Sequence, residues 1–170
     1  MAARPMVVVL LGTDHHPFPR LVGWACQLAG AGPAEWFVQH GATALPASAS
    51  SNLTGAPILP AADLRRLLER ADAVVTHGGP GLIMEARDAG HRPIVVPRDP
   101  GLGEHVDDHQ QRFARHISLG GLATCVTTLL ELEVAVAGAL LAGRDAAGPR
   151  SGGGSAARFG VLVDELLHRT

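Results

Sequence analysis

The chain has 170 residues, 46% of them hydrophobic and 18% charged, with a formal net charge of -2. That length and composition suit one globular domain with a sizeable core and exclude a disordered chain. No lysine-rich or arginine-rich run exists, so no nucleic-acid partner is expected. The two cysteines, Cys26 and Cys125, have no metal-binding spacing and read as reduced, packed thiols of a cytosolic protein.

In chain order, Val7–Leu11 is a continuous apolar run, as a parallel strand buried on both faces requires. It is too short for a membrane span and has no cleavage site behind it, so it reads as a strand and not a signal peptide. Phe18, Leu21, Val22, Ala25 and Leu28 share one helical face. "EWFVQH" from Glu35 is a second strand, 41–55 a polar Ser-rich loop, and "PILP" a candidate short strand. A helix follows over 60–71, with Asp63 in its first turn. "DAVVT" is a strand, 81–89 a helix, "PIVVP" a strand, 107–117 a helix and "LATCV" a short strand. Thr127 or Thr128 caps a helix running to Leu141. Trp24 and Trp36 lie in periodic apolar runs and read as core or interface residues. The predicted organisation is one domain over 1–143, a Gly- and Ala-rich linker over 144–157, and an amphipathic helix over 158–170 packing on the same domain. Alternation of strand and helix gives an α/β fold, Rossmann-like, with a mostly parallel sheet flanked by helices.

Ligands of such sheets sit at the carboxyl ends of the strands. There the sequence reads "DAVVTHGGPGLIMEA": a strand ending in His77, then Gly78, Gly79 and Gly81, then Glu85 in the next helix. Glycines let a backbone approach a ligand closely, and the helix start offers N–H groups to an anion such as a phosphate. A carboxylate one or two turns in can accept from both hydroxyls of a ribose. The alternative is a histidine that caps the turn and a glutamate that is merely solvated.

"THGGPGLIMEARDAGHRPIVVPR" followed by "GEHVDDHQQRFA" resembles the C-terminal domain of family 28 glycosyltransferases, most of all the bacterial exopolysaccharide half-enzymes. "GTDHHPFPRLV" over 12–22 is similar to that group's first loop and helix. The resemblance implies the nucleotide-sugar half of a GT-B glycosyltransferase. It places His77, Gly78, Gly79 and Gly81 against a diphosphate, Glu85 on the ribose, and His109 and Gln110 near the donor sugar. It has Gly12 and Thr13 donate to phosphate, Arg98 add charge, and the loop at Ile58 and Leu59 cover the base. At Leu82 the chain departs from the many relatives that carry threonine or serine there.

The nine histidines raise the question of a metal. His15 and His16 are adjacent, and adjacent residues rarely ligate one ion from a regular element. No cysteine or carboxylate set completes a zinc site, and GT-B enzymes generally need no metal for donor binding. No metal and no cofactor are therefore expected. Asp107 and Asp108 read either as helix caps or as site residues. Glu104 and His105 are expected to line the acceptor side, where one of them would serve as general base unless that base comes from another domain. The resemblance further implies a UDP-sugar donor, a membrane-anchored acceptor-binding partner subunit, and a polyprenyl-diphosphate-linked saccharide acceptor used in exopolysaccharide synthesis. The chain would then be cytoplasmic, held at the inner membrane face by that partner. The rival reading is a non-catalytic nucleotide-binding or partner-regulating module.

Overall fold

The computed structural model describes residues 3–143. The predicted linker over 144–157 and helix over 158–170 lie outside the described residues.

Six strands form one sheet: β1 (Met6–Leu10), β2 (Glu35–Gln39), β3 (Leu53–Ala56), β4 (Ala73–His77), β5 (Ile94–Val96) and β6 (Thr124–Cys125). Their spatial order is β3-β2-β1-β4-β5-β6 and every pairing is parallel. This is the Rossmann order, in which the strand order changes direction between β1 and β4. Five helices flank the sheet among the described residues: α1 (Pro19–Ala31), α2 (Ala61–Arg70), α3 (Pro80–Asp88), α4 (His109–Leu119) and α5 (Leu129–Ala142).

Strand side chains alternate between the two faces. Val7 and Val9 turn toward α1 and α5, joining Leu21, Ala25, Leu132 and Val136 in one core. Val8 and Leu10 turn the other way, onto Leu64 and Leu68 of α2. Val95 meets Ile83 of α3 and Phe113 and Ile117 of α4 in a third cluster. The central strands are therefore covered on both faces, which is why they read as unbroken apolar runs.

Two expectations are corrected. The segment 41–55 is not loop throughout, because Leu53–Ala56 is the edge strand β3. "PILP" is not a strand. Leu53 to Ala56 pair in register with Trp36 to Gln39, and as an edge strand with one buried residue they needed no apolar run. Elsewhere the differences are at element ends. Thr128 caps α5 in a full capping box, its hydroxyl accepting from the Glu131 N–H while the Glu131 carboxylate accepts from the Thr128 N–H. Trp36 is buried, whereas Trp24 is partly buried and packs its ring beneath the Arg20 guanidinium at 4.9 Å. No helix among the described residues is long and apolar enough to cross a membrane.

Candidate functional site

A cleft of about 550 Å³ opens at the carboxyl ends of β1, β2 and β4, where the strand order reverses. Gly12, Thr13, His77, Gly79, Gly81, Glu85 and Gln110 line it, together with Asp14, Gln39, Ile58, Leu59 and Leu82. Seven of the twelve residues given catalytic or donor-binding roles by sequence thus face one cavity, as do Ile58 and Leu59. Gly78, Arg98, Glu104, His105 and His109 are not among its lining residues.

His77 ends β4 and its ring is wedged between two glycines. A Cβ on Gly12 would meet its Nε2 at 2.5 Å, and one on Gly79 its Cε1 at 2.1 Å. Gly12 also has a φ of 81°, a left-handed conformation that side chains resist. The Gly79 N–H donates to His77 Nδ1 at 3.0 Å. A backbone N–H can only donate, so in the neutral ring Nδ1 is the acceptor and Nε2 carries the proton. Burial, reinforced by the charge of Arg98, lowers the His77 pKa to about 4. The ring is therefore neutral at physiological pH and is a hydrogen-bond donor through Nε2.

Behind it, Gln110 Oε1 accepts from the N–H of Gly78 at 3.1 Å and of Arg98 at 3.3 Å. That amide ties α4 to the ends of β4 and β5. Gly78 is a glycine because a Cβ there would meet Gln110 Cβ at 2.7 Å. The turn feeds α3, whose N-cap residue is Gly79 and whose first turn holds no acidic residue and no side-chain cap. Gly79, Gly81 and Leu82 at its start line the cleft, which therefore lies at the positive end of the helix dipole. Glu85 is exposed on α3, at the far wall of the cleft.

Arg98 stands behind the cleft. It is 1% exposed, and its guanidinium donates to the carbonyls of Leu11, His16 and Glu104 at 3.0, 2.7 and 3.1 Å. It is stacked on Phe18 at 4.8 Å and braces the loops after β1 and β5. Glu104 is 3% exposed and receives Arg20 on both oxygens and the Asp99 N–H on Oε2. That carboxylate is spent on holding the loop 99–104 to α1, so it does not present a free base to the acceptor side. His105 reaches toward Asp14 and Asp107, at 3.7 and 3.4 Å. His109 is half exposed, with its Nδ1 2.7 Å from Asp107. Asp107, not Asp108, serves the start of α4: its carboxylate accepts from the His109 N–H, while Asp108 occupies the N-cap position without a capping bond and pairs with Arg112 at 3.3 Å.

Sequence reasoning passed over three residues here. Gln39 is 3% exposed, lines the cleft, and its Oε1 has no hydrogen-bond partner. The signal was a polar residue at the carboxyl end of an apolar strand. Asp14 lines the cleft and binds His16 through both its backbone N–H and its ring, at 2.7 and 2.6 Å. Burial pushes the Asp14 pKa up, but those hydrogen bonds and the charge of Arg98 outweigh it and hold the carboxyl below its usual value. The third is Arg20, which no sequence pattern singled out and which holds Glu104.

Three solved structures share the fold. The glycotransferase of kitacinnamycin aligns with a TM-score of 0.63 and 24% identity over 97% of this chain and 40% of its own. VinC, solved in complex with dTDP, gives 0.59 and 18% over 96% and 38%. MurG of Acinetobacter baumannii gives 0.56 and 21% over 98% and 51%. The chain thus spans about half the length of these proteins or less. At these identities the likeness speaks for the fold alone. None of the curated proteins compared with the chain matches it. Residues 36–143, from β2 to the end of α5, match the Glycosyltransferase family 28 C-terminal domain. The chain belongs to that family, and its Rossmann-like fold is the one it shares with those glycosyltransferase structures.

Proposed function

We propose that the cleft binds the nucleotide diphosphate of a sugar donor, a UDP-sugar, and that the chain is the donor-binding and catalytic part of an inverting glycosyltransferase. The observation that carries this reading is the grouping of His77, Gly12, Gly79 and the open start of α3 at the switch point of the sheet, with Glu85 on the same cleft. A diphosphate there would meet neutral N–H donors and the helix dipole rather than a full positive charge. Glu85 would accept from the two ribose hydroxyls, and Ile58 and Leu59 would flank the base. Gln110 and Arg98 position the donors, and His109 lies at the rim toward the sugar. No metal or other cofactor is needed for this mode of donor binding. A dTDP complex of one structural relative supports a nucleotide as occupant.

The acceptor would be a polyprenyl-diphosphate-linked saccharide, held by a membrane-anchored subunit that brings this chain to the cytoplasmic face, in exopolysaccharide synthesis. The resemblance to exopolysaccharide half-enzymes supports that assignment. The exposed apolar side chains of Ile58, Leu102 and Val106 after β3 and β5 also support a partner at this end of the sheet. With Glu104 committed to Arg20 and His105 set between Asp14 and Asp107, the general base comes from a group on the partner.

Calorimetry with UDP tests the reading. Binding that falls in Glu85→Ala supports it. A folded chain that binds no UDP, alone or with the partner subunit added, overturns it. Leu82 in the cleft wall, where relatives offer a hydroxyl, favours one alternative, a nucleotide-binding module without transfer activity. UDP binding without sugar transfer by the assembled pair would select that alternative.

A further inference from the structure

Several ionisable side chains that the donor reading does not use meet beside the cleft, between the loop after β1 and the loop before α4. Asp14 accepts the His16 N–H at 2.7 Å, which curls the loop back on itself. The imidazoles of His15 and His16 then lie 4.1 Å apart with their planes tilted by 37°. His16 Nδ1 is 2.6 Å and His15 Nδ1 3.9 Å from Asp14 Oδ1. One donor atom from each of Asp14, His15 and His16 lies within 4.8 Å of the other two. On the opposite side His105 Nε2 is 3.7 Å from Asp14 Oδ2.

Ligands bound at about 2.0–2.1 Å in a tetrahedron stand about 3.3 Å from each other. The observed separations are close enough for small side-chain rotations to reach that arrangement. The argument that neighbouring histidines cannot share an ion holds for helices and strands, where successive side chains diverge. Residues 13–16 form neither.

We infer that Asp14, His15 and His16 bind one divalent transition-metal ion of the zinc class, with His105 as a fourth ligand. Imidazole and carboxylate together suit zinc, cobalt and nickel and give no advantage to magnesium or calcium. A supporting shell is present. His105 Nδ1 lies 3.4 Å from Asp107 Oδ1, so that carboxylate would accept a hydrogen bond from Nδ1–H once Nε2 is on the metal. The buried Arg98 holds the His16 carbonyl at 2.7 Å and fixes the backbone of the ligand loop. Its nearby positive charge works against the cation and weakens the site.

The test uses untagged full-length chain stripped with chelator and no nucleotide, so its failure leaves the donor reading untouched. Cobalt is titrated by visible absorption and zinc by equilibrium dialysis with elemental analysis. One ion per chain is expected, with affinity lowered on the order of tenfold or more in Asp14→Asn, His15→Gln and His16→Gln and unchanged in His116→Gln, an exposed helix residue. Circular dichroism verifies folding. If Asp14→Asn or His16→Gln fails to fold, His15→Gln decides, because its side chain is 88% exposed and carries little of the structure. Absence of binding, or binding indifferent to these ligand substitutions, overturns the proposal.

Discussion

Arg20 grips Glu104 with two hydrogen bonds, Nε to Oε1 at 2.9 Å and Nη2 to Oε2 at 2.8 Å, across 84 residues of chain. Arg20 also donates to the Pro97 carbonyl at 3.0 Å. The pair fastens the loop after β5 to α1, so the mouth of the site depends on it. Removing one partner strands a buried charge, which typically costs about 3–5 kcal/mol. Arg20→Ala is expected to lose that much in urea unfolding. The double variant Arg20→Ala/Glu104→Gln should recover part of it, because the stranded charge is gone. Equal losses in single and double variants would show that the stranded Glu104 charge is not the source of the loss.

Glu85 is exposed, and among the described residues no other side chain is hydrogen-bonded or ion-paired to its carboxylate. Its replacement should leave stability within about 0.5 kcal/mol. If the carboxylate holds a ribose, Glu85→Ala should weaken UDP by about 1.5–3 kcal/mol. Calorimetry reads the affinity and thermal melting reads the fold. A variant with unchanged affinity would remove Glu85 from the site.

The glycines separate packing from ligand approach. A Cβ at Gly79 would sit 2.1 Å from the His77 ring, whereas one at Gly81 meets nothing within 4 Å. Gly79→Ala is expected to cost about 1–3 kcal/mol through overpacking. Gly81→Ala lies in the first turn of α3 and should melt no lower than the parent, gaining up to about 1 kcal/mol from helix propensity. It should nevertheless bind UDP more weakly, because its new methyl occupies the ligand's approach. Loss of stability in Gly81→Ala would contradict the open space beside it.

His77 makes stability depend on pH with a definite sign. Its folded pKa is about 4 against an ordinary value of 6.5. Between those values the unfolded chain binds a proton that the folded chain refuses. The contribution is complete above pH 6.5 and is lost as pH falls toward 4, on the order of 3 kcal/mol in total. Urea unfolding across that range should show a steeper decline for the parent than for His77→Gln. Parallel slopes would mean that His77 is not held neutral.

How much of this was legible depended on range. The order of elements could be read because β1, β4 and β5 are buried on both faces and α2 shows one apolar stripe. The edge strand β3 was hidden because its Leu53-Thr-Gly-Ala sequence has no strand pattern of its own and takes its form from β2. The run from His77 to Glu85 was readable as a candidate anion site because strand end, turn and helix start are contiguous. Gln110 was assigned by resemblance to the sugar, while its bonds to Gly78 and Arg98 emerge only once α4 is docked.

The sequence by itself determined the strand–helix alternation, the flexible turn after β4 and the residue types available to a ligand, since each follows from local sterics and short-period burial. Only the tertiary structure decided that Arg20 consumes Glu104, that Arg98 is a buried brace, and that Asp14, the paired histidines and His105 converge. Those groups are distant in the chain. Charges and hydrogen-bonding groups act over a few ångströms, and the separations are set by how the helices pack on the sheet.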